Sequence, residues 1–394
     1  MRILILCHEF FPEAAGGAQG VGHLAVELAK NHTVDVITKS YQGRPWKTIE
    51  NRLTVYRVPV WGTTAHGTAT AGSMVCYSLF AVISGFILML KHRYDTVNGQ
   101  FGIPAGSLAV LLGRLFRVPS LVTLVGAEIF DPPTSDEILA LPLAKRLVRW
   151  TIRTADYVAG LSHSMIRHVR SDFGIDRPCE VIPFGIPDIA ELKVTDSVPS
   201  RAPHGQLALL CVARVVARKR HADLLEALLR LPEDLKVTLN VVGNGPEKDH
   251  LMAESRKLGL DSRVQFLGLL PDREKWKAYR EADIFVLVST HECLGVVYLE
   301  AMQAGLPVIA GDNGGQCDFV QNGVNGVIVG VGDVPGMARA IQNLSRDPAL
   351  RRRMGQESKR IASDLTVANI AGRYERVFEK MNASQQDEIG IRRR

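Results

Sequence analysis

The sequence predicts an α/β protein made of two doubly wound domains, each a parallel sheet covered by helices. Its 394 residues suit two domains better than one. Short apolar runs alternate with helical patterns along both halves, which is typical of parallel strands joined by helices. Between the halves, residues 187–205 are poor in apolar side chains and carry Pro187, Pro199, Pro203 and Gly205. This stretch is the expected linker.

In the first predicted domain, residues 1–188, seven short runs predict strands. They are RILILCHEF, VDVITKS, LTVYRVPV, TVNGQ, SLVTLVG, ADYVAGLS and CEVIPFG. Helical patterns between them fall at 21–30, 74–90, 106–116 and 143–153. Residues 58–90 contain no Lys, Arg, Asp or Glu, so 74–90 approach the lower limit for a membrane-spanning helix. Because that segment lies between two predicted strands of one domain, a buried helix is the favoured interpretation.

The second predicted domain, residues 205–364, repeats the rhythm. Its expected strands are LALLCVAR, KVTLNVVG, RVQFLG, DIFVLVST, PVIAG and GVIV. Helices are expected at about 220–231, 246–258, 273–281, 296–304 and 334–345. The closing stretch, 347–383, has a helical pattern, and a C-terminal helix at about 365–385 is expected to pack back on the first domain.

Composition narrows the classes of function. Hydrophobic residues make up 46% and charged residues 22%, an ordinary soluble composition. The net charge of +6 favours phosphate-bearing ligands or an anionic membrane, but it is too dispersed to predict nucleic-acid binding. Six scattered cysteines include no Cys-x-x-Cys pair and no metal-ligand spacing, and Asp-x-Asp does not occur. We therefore expect no metal, no cofactor and a reducing, cytoplasmic compartment; the N-terminus is typical of a strand, not a signal peptide.

Ligands of parallel sheets bind beyond the carboxyl ends of the strands, so the residues that follow each strand are the candidates. Arg214 ends one predicted strand and Lys219 precedes a helix, an arrangement that suits a diphosphate. The alternative is that both are solvated surface cations. Gly243 opens the turn GNGP, which permits close ligand approach but is equally explained as a plain strand-to-helix turn.

The stretch THECLGVVYLEAMQAG follows the strand DIFVLVST and carries two carboxylates. Glu292 lies in the predicted loop and Glu300 about one turn into the next helix, whose start at Leu294, Gly295 and Val296 offers backbone N–H groups. Phosphates would repel these glutamates, whereas sugar hydroxyls suit an acceptor-only carboxylate. A nucleotide sugar would satisfy the cations, the helix start and both glutamates. The alternative is a loop charge at Glu292 and a helix-dipole partner at Glu300.

Two further candidates lie in the first half. Gly16 and Gly17 follow the first strand, but their spacing is not that of the dinucleotide fingerprint Gly-x-Gly-x-x-Gly. They are expected to bring backbone N–H groups close to a phosphate. The helix at 143–153 interleaves basic and apolar residues, so it could touch an anionic membrane. The alternative is an ordinary half-buried helix.

These residues together resemble the retaining GT-B glycosyltransferases of family four. The resemblance covers nearly the whole chain and is carried by Gly16-Gly17, Arg214 with Lys219, VGNGP, and Glu292-x7-Glu300 followed by AMQAGLPVIAGDNGG. It implies two Rossmann-like domains facing a central cleft and transfer of a sugar from a UDP- or GDP-linked donor to an acceptor hydroxyl of a glycan or lipid. Arg214 and Lys219 would hold the diphosphate, Glu292 the transferred sugar and Glu300 the ribose. The leaving phosphate would itself deprotonate the acceptor.

The chain departs from the family pattern on the acceptor side. Many members carry a histidine in a His-Gly-x-Asp stretch, and here Val125 stands in its place, followed by Gly126 and Glu128. Gly126, Glu128 and His163 are therefore the acceptor-side candidates, with His8 and His291 as further replacements for the histidine. Asp318 stands where members often have Glu. The competing interpretations are a nucleotide-sugar epimerase, a hydrolase, since paired carboxylates also define glycosidases, and a non-catalytic nucleotide-sugar-binding protein.

Overall fold

The chain folds into two compact units. The computed structural model describes residues 1–10, 16–41, 43–61, 70–126, 129, 142–174, 178–187 and 206–392. Unit 1 comprises Met1–Gly185 and Val367–Arg394, and unit 2 comprises Ile186–Thr366. The linker expected at 187–205 lies almost entirely outside the described residues. The sequence predicted the first domain to run to 188, whereas Ile186 already belongs to unit 2. Its backbone N–H donates to the Leu365 carbonyl of that unit at 3.0 Å.

Unit 1 is built on eight strands in one sheet. The strands are β1 (Arg2–Cys7), β2 (Thr33–Lys39), β3 (Lys47–Glu50), β4 (Leu53–Val58), β5 (Thr96–Gln100), β6 (Ser120–Leu124), β7 (Tyr157–Gly160) and β8 (Cys179–Val181). Their order is β3-β4-β2-β1-β5-β6-β7-β8. All neighbours are parallel except β3 and β4, which pair antiparallel. The edge strand β3 was missed from the sequence because KTIE is short and too polar for an apolar run.

Helices connect the strands of unit 1. They are α1 (Gly17–Leu28), α2 (Ala71–Lys91), α3 (Ser107–Phe116), α4 (Pro142–Thr154) and α5 (His163–Phe173). The chain passes from β1 outward to β2 and later returns to β5 on the other side of β1. The order of strands therefore reverses between β1 and β5, and ligand crevices form at such points.

Unit 2 is an all-parallel sheet of six strands. They are β9 (Leu207–Val212), β10 (Val237–Val242), β11 (Val264–Gly268), β12 (Ile284–Leu287), β13 (Val308–Gly311) and β14 (Gly326–Val329), in the order β11-β10-β9-β12-β13-β14. Its helices are α6 (His221–Leu229), α7 (Lys248–Lys257), α8 (Asp272–Glu281), α9 (Val296–Gln303), α10 (Val334–Arg346) and α11 (Pro348–Ser363). The order of strands reverses between β9 and β12, so their carboxyl ends flank the crevice of this sheet.

The last helix, α12 (Val367–Arg392), belongs to unit 1 and packs against α1. Tyr374 is buried and its hydroxyl lies 3.1 Å from Thr123 Oγ1 on β6. Glu375 Oε1 lies 2.9 Å from His32 Nε2. The sequence predicted a helical closing stretch at 347–383 with a C-terminal helix at about 365–385 packed on the first domain, and the structure divides this stretch into α11 and α12. They part at 364–366 because Leu365 and Thr366 pair with Ile186.

Helix α2 is anchored to unit 1 by one face only. Tyr77 is fully buried, and its hydroxyl donates to the Ile37 carbonyl at 3.0 Å. The helix is long and apolar enough to cross a membrane. Only 33% of its most apolar 18-residue stretch is buried. The expectation of a buried helix is therefore wrong for most of its surface. It packs on the sheet through β2 and β4 and on α3, and its opposite face is left exposed.

Candidate functional site

The loop after β9 carries the two predicted cations, which have different surroundings. Arg214 is exposed, and its side chain makes no hydrogen bond or ion pair with any residue that the structure describes. The chain then forms a short 3-10 turn, Ala217–Lys219. Lys219 is buried, and its Nζ donates to Glu292 Oε1. The alternative of a solvated surface cation is therefore wrong for Lys219, whose charge faces a carboxylate.

Glu292 is held firmly in the loop after β12. Its Oε1 accepts from Lys219 Nζ and, at 2.7 Å, from Ser289 Oγ. Its backbone pairs with Gly314, and the Gly315 N–H donates to the Glu292 carbonyl at 2.8 Å. A Cβ at Gly314 would lie 2.3 Å from that carbonyl oxygen, so the close approach of the two loops requires glycine. Among the described residues Oε2 accepts no bond, and this oxygen remains for a ligand hydroxyl.

The start of α9 lies next to Glu292. Gly295 occupies the cap position with φ of 81°, and no side chain accepts from the first N–H groups of the helix. A Cβ at Gly295 would meet the Tyr298 ring at 2.5 Å and the Glu292 side chain at 3.7 Å. The Leu294 side chain is buried. The uncapped N–H groups that begin at Val296 form a positive end that suits an anion.

Glu300 is buried on α9 and bound by two residues of α8. Lys275 Nζ donates to Oε1 and Tyr279 Oη to Oε2, each at 2.8 Å. Burial alone would lower the pKa of Lys275, but Glu300 and the neighbouring Asp272 reverse this and raise it. Each carboxylate oxygen has a second lone pair. Glu300 can therefore accept two further hydrogen bonds from a ligand.

Gly243, after β10, has a structural explanation. Its φ is 139°, and a Cβ would lie 1.8 Å from the Ala213 carbonyl oxygen. A Cβ at Gly245 would lie 2.2 Å from the carbonyl oxygen of Val215. The turn therefore presses against the loop after β9, and this contact alone accounts for both glycines.

In unit 1, the predicted residues follow three strands of the sheet that run parallel to one another. Gly16, with φ of 63°, and Gly17 open α1 after β1. Gly126 follows β6, and His163 is exposed at the first residue of α5, after β7. Val125 lies against the glycine pair, since a Cβ at Gly17 would be 2.8 Å from Val125 Cγ1. The remaining acceptor-side candidate, Glu128, lies outside the described residues.

Sequence reasoning missed Ser289, Lys275, Tyr279 and His221. Lys275 and Tyr279 stand four residues apart and thus on one face of α8. Because most residues of this helix are polar, the sequence does not indicate that these two bind a carboxylate. His221, the first residue of α6, is buried, and neither ring nitrogen has a partner among the described residues. Burial, with a contribution from the Lys219 charge, lowers the pKa of His221 to about 4. The imidazole is therefore neutral at pH 7.

Sequence comparison places both units in known families. Residues 15–185 match the model described as "Glycosyl transferase 4-like domain", and residues 194–361 match "Glycosyl transferases group 1". The chain is 30% identical over 377 residues to the GDP-mannose-dependent alpha-(1-6)-phosphatidylinositol monomannoside mannosyltransferase of Mycolicibacterium smegmatis. That match covers 92% of this chain and 94% of the relative. The chain belongs to the family-four type of GT-B glycosyltransferases.

This glycosyltransferase is also similar to a second curated protein in sequence and to a solved structure in fold. The lipopolysaccharide core biosynthesis glycosyltransferase LpsE of Rhizobium meliloti is 34% identical over 186 residues, about half of each protein: 47% of this chain and 53% of the relative. Sucrose-phosphate synthase from Thermosynechococcus elongatus superimposes with a TM-score of 0.79 at 21% identity, over 97% of this chain and 99% of that one. The glycosyltransferase thus has the GT-B fold and is an enzyme of hexosyl transfer.

Proposed function

We propose that this glycosyltransferase moves a sugar from a nucleoside diphosphate sugar to an acceptor hydroxyl with retention of anomeric configuration. The observation that carries the proposal is the buried Lys219–Glu292 pair next to the uncapped start of α9, where the strand order reverses between β9 and β12. A cation, a set of free backbone donors and a hydroxyl acceptor there match the parts of such a donor.

The diphosphate would lie against Arg214, Lys219 and the start of α9. Negative charge builds on the diphosphate as the bond to the sugar breaks, so fixed positive groups there lower the barrier. Arg214 is exposed and carries a fork of donors that fits phosphate oxygens. Lys219 gives one of its three N–H donors to Glu292 and retains two.

The two glutamates would bind the two sugars of the donor. Glu292 accepts hydrogen bonds from an ammonium and a hydroxyl. This suits a carboxylate that accepts bonds from sugar hydroxyls, and it does not suit a proton donor. Glu300, oriented by Tyr279 and Lys275, would accept from the ribose hydroxyls. In this scheme no protein nucleophile is required, because the leaving phosphate takes the acceptor proton on the same face.

The relatives support a lipid or glycan acceptor and a GDP-linked donor, and a UDP-linked donor stays a prediction from the sequence. The Mycolicibacterium relative is named for GDP-mannose and a phosphatidylinositol mannoside, and LpsE for the lipopolysaccharide core. On the acceptor side, Val125 packed near Gly17 would present an apolar wall where many members offer histidine. Metal independence and a cytoplasmic location stay predictions.

The test measures release of nucleoside diphosphate from UDP- and GDP-sugars, with and without acceptor, in the presence of EDTA. Arg214→Ala and Lys219→Ala should each lower the rate about 10²–10³-fold, the usual effect of removing one charge-stabilising donor. Lys236→Ala is the matched control, since this exposed cation lies at the amino end of β10, whereas the site lies at the carboxyl ends of the strands. Full activity in both site variants would refute the assignment.

The same assay separates the alternatives. Equal release without acceptor would indicate a hydrolase, and isomerised donor would indicate an epimerase. Nucleotide binding without turnover would indicate a non-catalytic binding protein. Nuclear magnetic resonance of the newly formed anomeric centre decides retention, and an inverted product would contradict that part of the proposal.

A further inference from the structure

The exposed side of α2 is an apolar surface of unusual length for a connecting helix. Its exposed side chains are Val75, Leu79, Ile83, Phe86, Ile87 and Leu90. Leu79 is 56% exposed and Leu90 66%. These positions recur at three- and four-residue spacing, so they form one stripe along the helix. A stripe of this extent marks an interaction surface.

Helices α3 and α4 extend the stripe into a broader surface, called here the α2–α3–α4 face. The rings of Phe86 and Phe116 lie 5.3 Å apart, which joins α2 to α3. A groove of about 370 Å³ runs between the three helices, lined by Ser78, Leu108, Leu111, Leu147 and Trp150 among others. The exposed apolar residues of α3 and α4 on this side are Leu111, Leu115, Leu143, Leu147 and Trp150.

Among the described residues, the helices of this face carry charges of one sign. Helices α2, α3 and α4 contain no Asp or Glu. Their exposed cations on this side are Lys91, Arg114, Lys145 and Arg146. Arg149 and Arg153 contact α5 instead, through the Phe173 ring and the Phe173 carbonyl. Apolar side chains combined with Lys and Arg complement a bilayer surface that bears anionic headgroups. A second copy of the same face is a poorer partner, because the described residues of these three helices would present cations and no acid in both copies.

The anchoring of α2 decides how it would meet a bilayer. Tyr77 and Ala81 are fully buried, and the Tyr77 hydroxyl is bonded to the Ile37 carbonyl of β2. A Cβ at Gly85 would lie 2.5 Å from Leu112 Cδ1, so α2 and α3 are in close contact. Spanning the bilayer would break these contacts and leave the sheet uncovered. Lying in the interface retains them.

We propose that the α2–α3–α4 face rests in the surface of an anionic lipid bilayer, with an acyl chain in the groove beside Trp150. This inference stands independently of the proposed reaction. It also shifts the membrane contact expected from the sequence: α4 contributes cations and Trp150, whereas α2 supplies most of the apolar area.

The experiment is co-sedimentation of the full chain with vesicles of phosphatidylcholine alone or with 30 mol% phosphatidylglycerol. Binding is expected to the phosphatidylglycerol vesicles at low salt and to weaken at high salt. Leu79→Glu with Ile83→Glu should abolish it. The control is Leu229→Glu with Leu269→Glu, two exposed leucines of unit 2, which should bind as the parent does. Thermal unfolding verifies that every variant is folded.

Charge and depth are tested separately. Arg114→Gln with Arg146→Gln should lower binding about 25-fold, since each cation near an anionic surface contributes a factor of about 5. Arg230→Gln with Lys236→Gln, exposed cations of unit 2, is the matched control. Lipids brominated along the acyl chain should quench the fluorescence of the parent, and Trp150→Phe should remove most of that quenching.

Three results would overturn the proposal: no binding to phosphatidylglycerol vesicles at low salt, binding that survives the glutamate exchanges on α2, or a dimer that those exchanges disperse. Nucleoside diphosphate binding, measured calorimetrically on the same preparation, separates the two hypotheses. A protein that binds nucleotide but no vesicle retains the proposed reaction and loses only the membrane contact.

Discussion

Replacing Lys219 by Met should destabilise unit 2, because it leaves Glu292 buried without its cation. The side chains are 10% and 7% exposed, and removing one partner of such a pair costs about 3–5 kcal/mol. The bond from Ser289 remains, which favours the lower end, about 3 kcal/mol. For a unit of this size, that corresponds to a fall in melting temperature of about 6–12 °C.

A double-mutant cycle isolates the pair. Lys219→Met with Glu292→Gln removes both charges, so the double variant should be more stable than the sum of the single losses allows. We expect a coupling of about 2 kcal/mol, against about 0.3–0.5 kcal/mol for the exposed helical pair Arg230–Glu226. Its partners are 49% and 53% exposed.

The assay is urea unfolding followed by Trp276, which is buried in unit 2, with the other three tryptophans replaced by Phe. The tryptophan-free background of unit 1 confines the signal to the unit that holds the pair. Equal couplings for the buried and the exposed pair would refute the view that Lys219 and Glu292 act as one buried unit.

Three further predictions concern single positions. Gly17→Ala should cost about 1–3 kcal/mol by overpacking against Val125, and adding Val125→Ala should restore much of the melting temperature; no rescue would mean that Val125 is not the obstacle. The folded-state pKa of His221 is about 4 and the unfolded value about 6.5. Between these two pH values the unfolded chain is protonated at His221 and the folded protein is not. Stability should therefore fall by roughly 3 kcal/mol between pH 6.5 and 4, and His221→Leu should flatten that decline in urea titrations at stepped pH; an unchanged slope would contradict it. Tyr279→Phe leaves Glu300 less firmly oriented, so calorimetry should show about 10-fold weaker nucleoside diphosphate binding, and unchanged affinity would remove Glu300 from the site.

The architecture was predictable because it depends on patterns that survive without neighbours. Apolar runs such as LALLCV and IFVL became the central strands β9 and β12, since strands buried on both faces are apolar throughout. The polar run TVNGQ also forms a buried strand, β5, where the side chains of Asn98 and Gln100 bond to one another at 2.6 Å.

The site was predictable in its members and less so in their pairing. The spacing of Glu292 and Glu300 placed one in a loop and one on a helix, as observed. That Lys219 turns inward to Glu292 depends on a 3-10 turn and on the adjacency of β9 and β12, which no local pattern reveals. Lys275 and Tyr279 reach Glu300 from another helix, so only the tertiary structure brings them together.

The exposure of α2 shows the same limit from the other side. Its composition predicts burial, because apolar helices usually supply core. Whether a given face is covered depends on how many elements pack around it, and α2 lies near the edge of the sheet, over β2 and β4. An apolar count therefore indicates how much surface a helix would bury, and the number of its neighbours decides how much is buried.

The return of α12 to unit 1 has a consequence for the order of folding. All eight strands of the first sheet are synthesised before residue 182, yet the helix that covers α1 and seals Thr123 begins only at Val367. The whole of unit 2 emerges from the ribosome in between. During translation, the side of α1 that α12 covers therefore remains open to solvent until the chain is nearly complete. A stalled chain that ends before α12 would carry every strand of both sheets and still expose apolar surface that quality control can recognise.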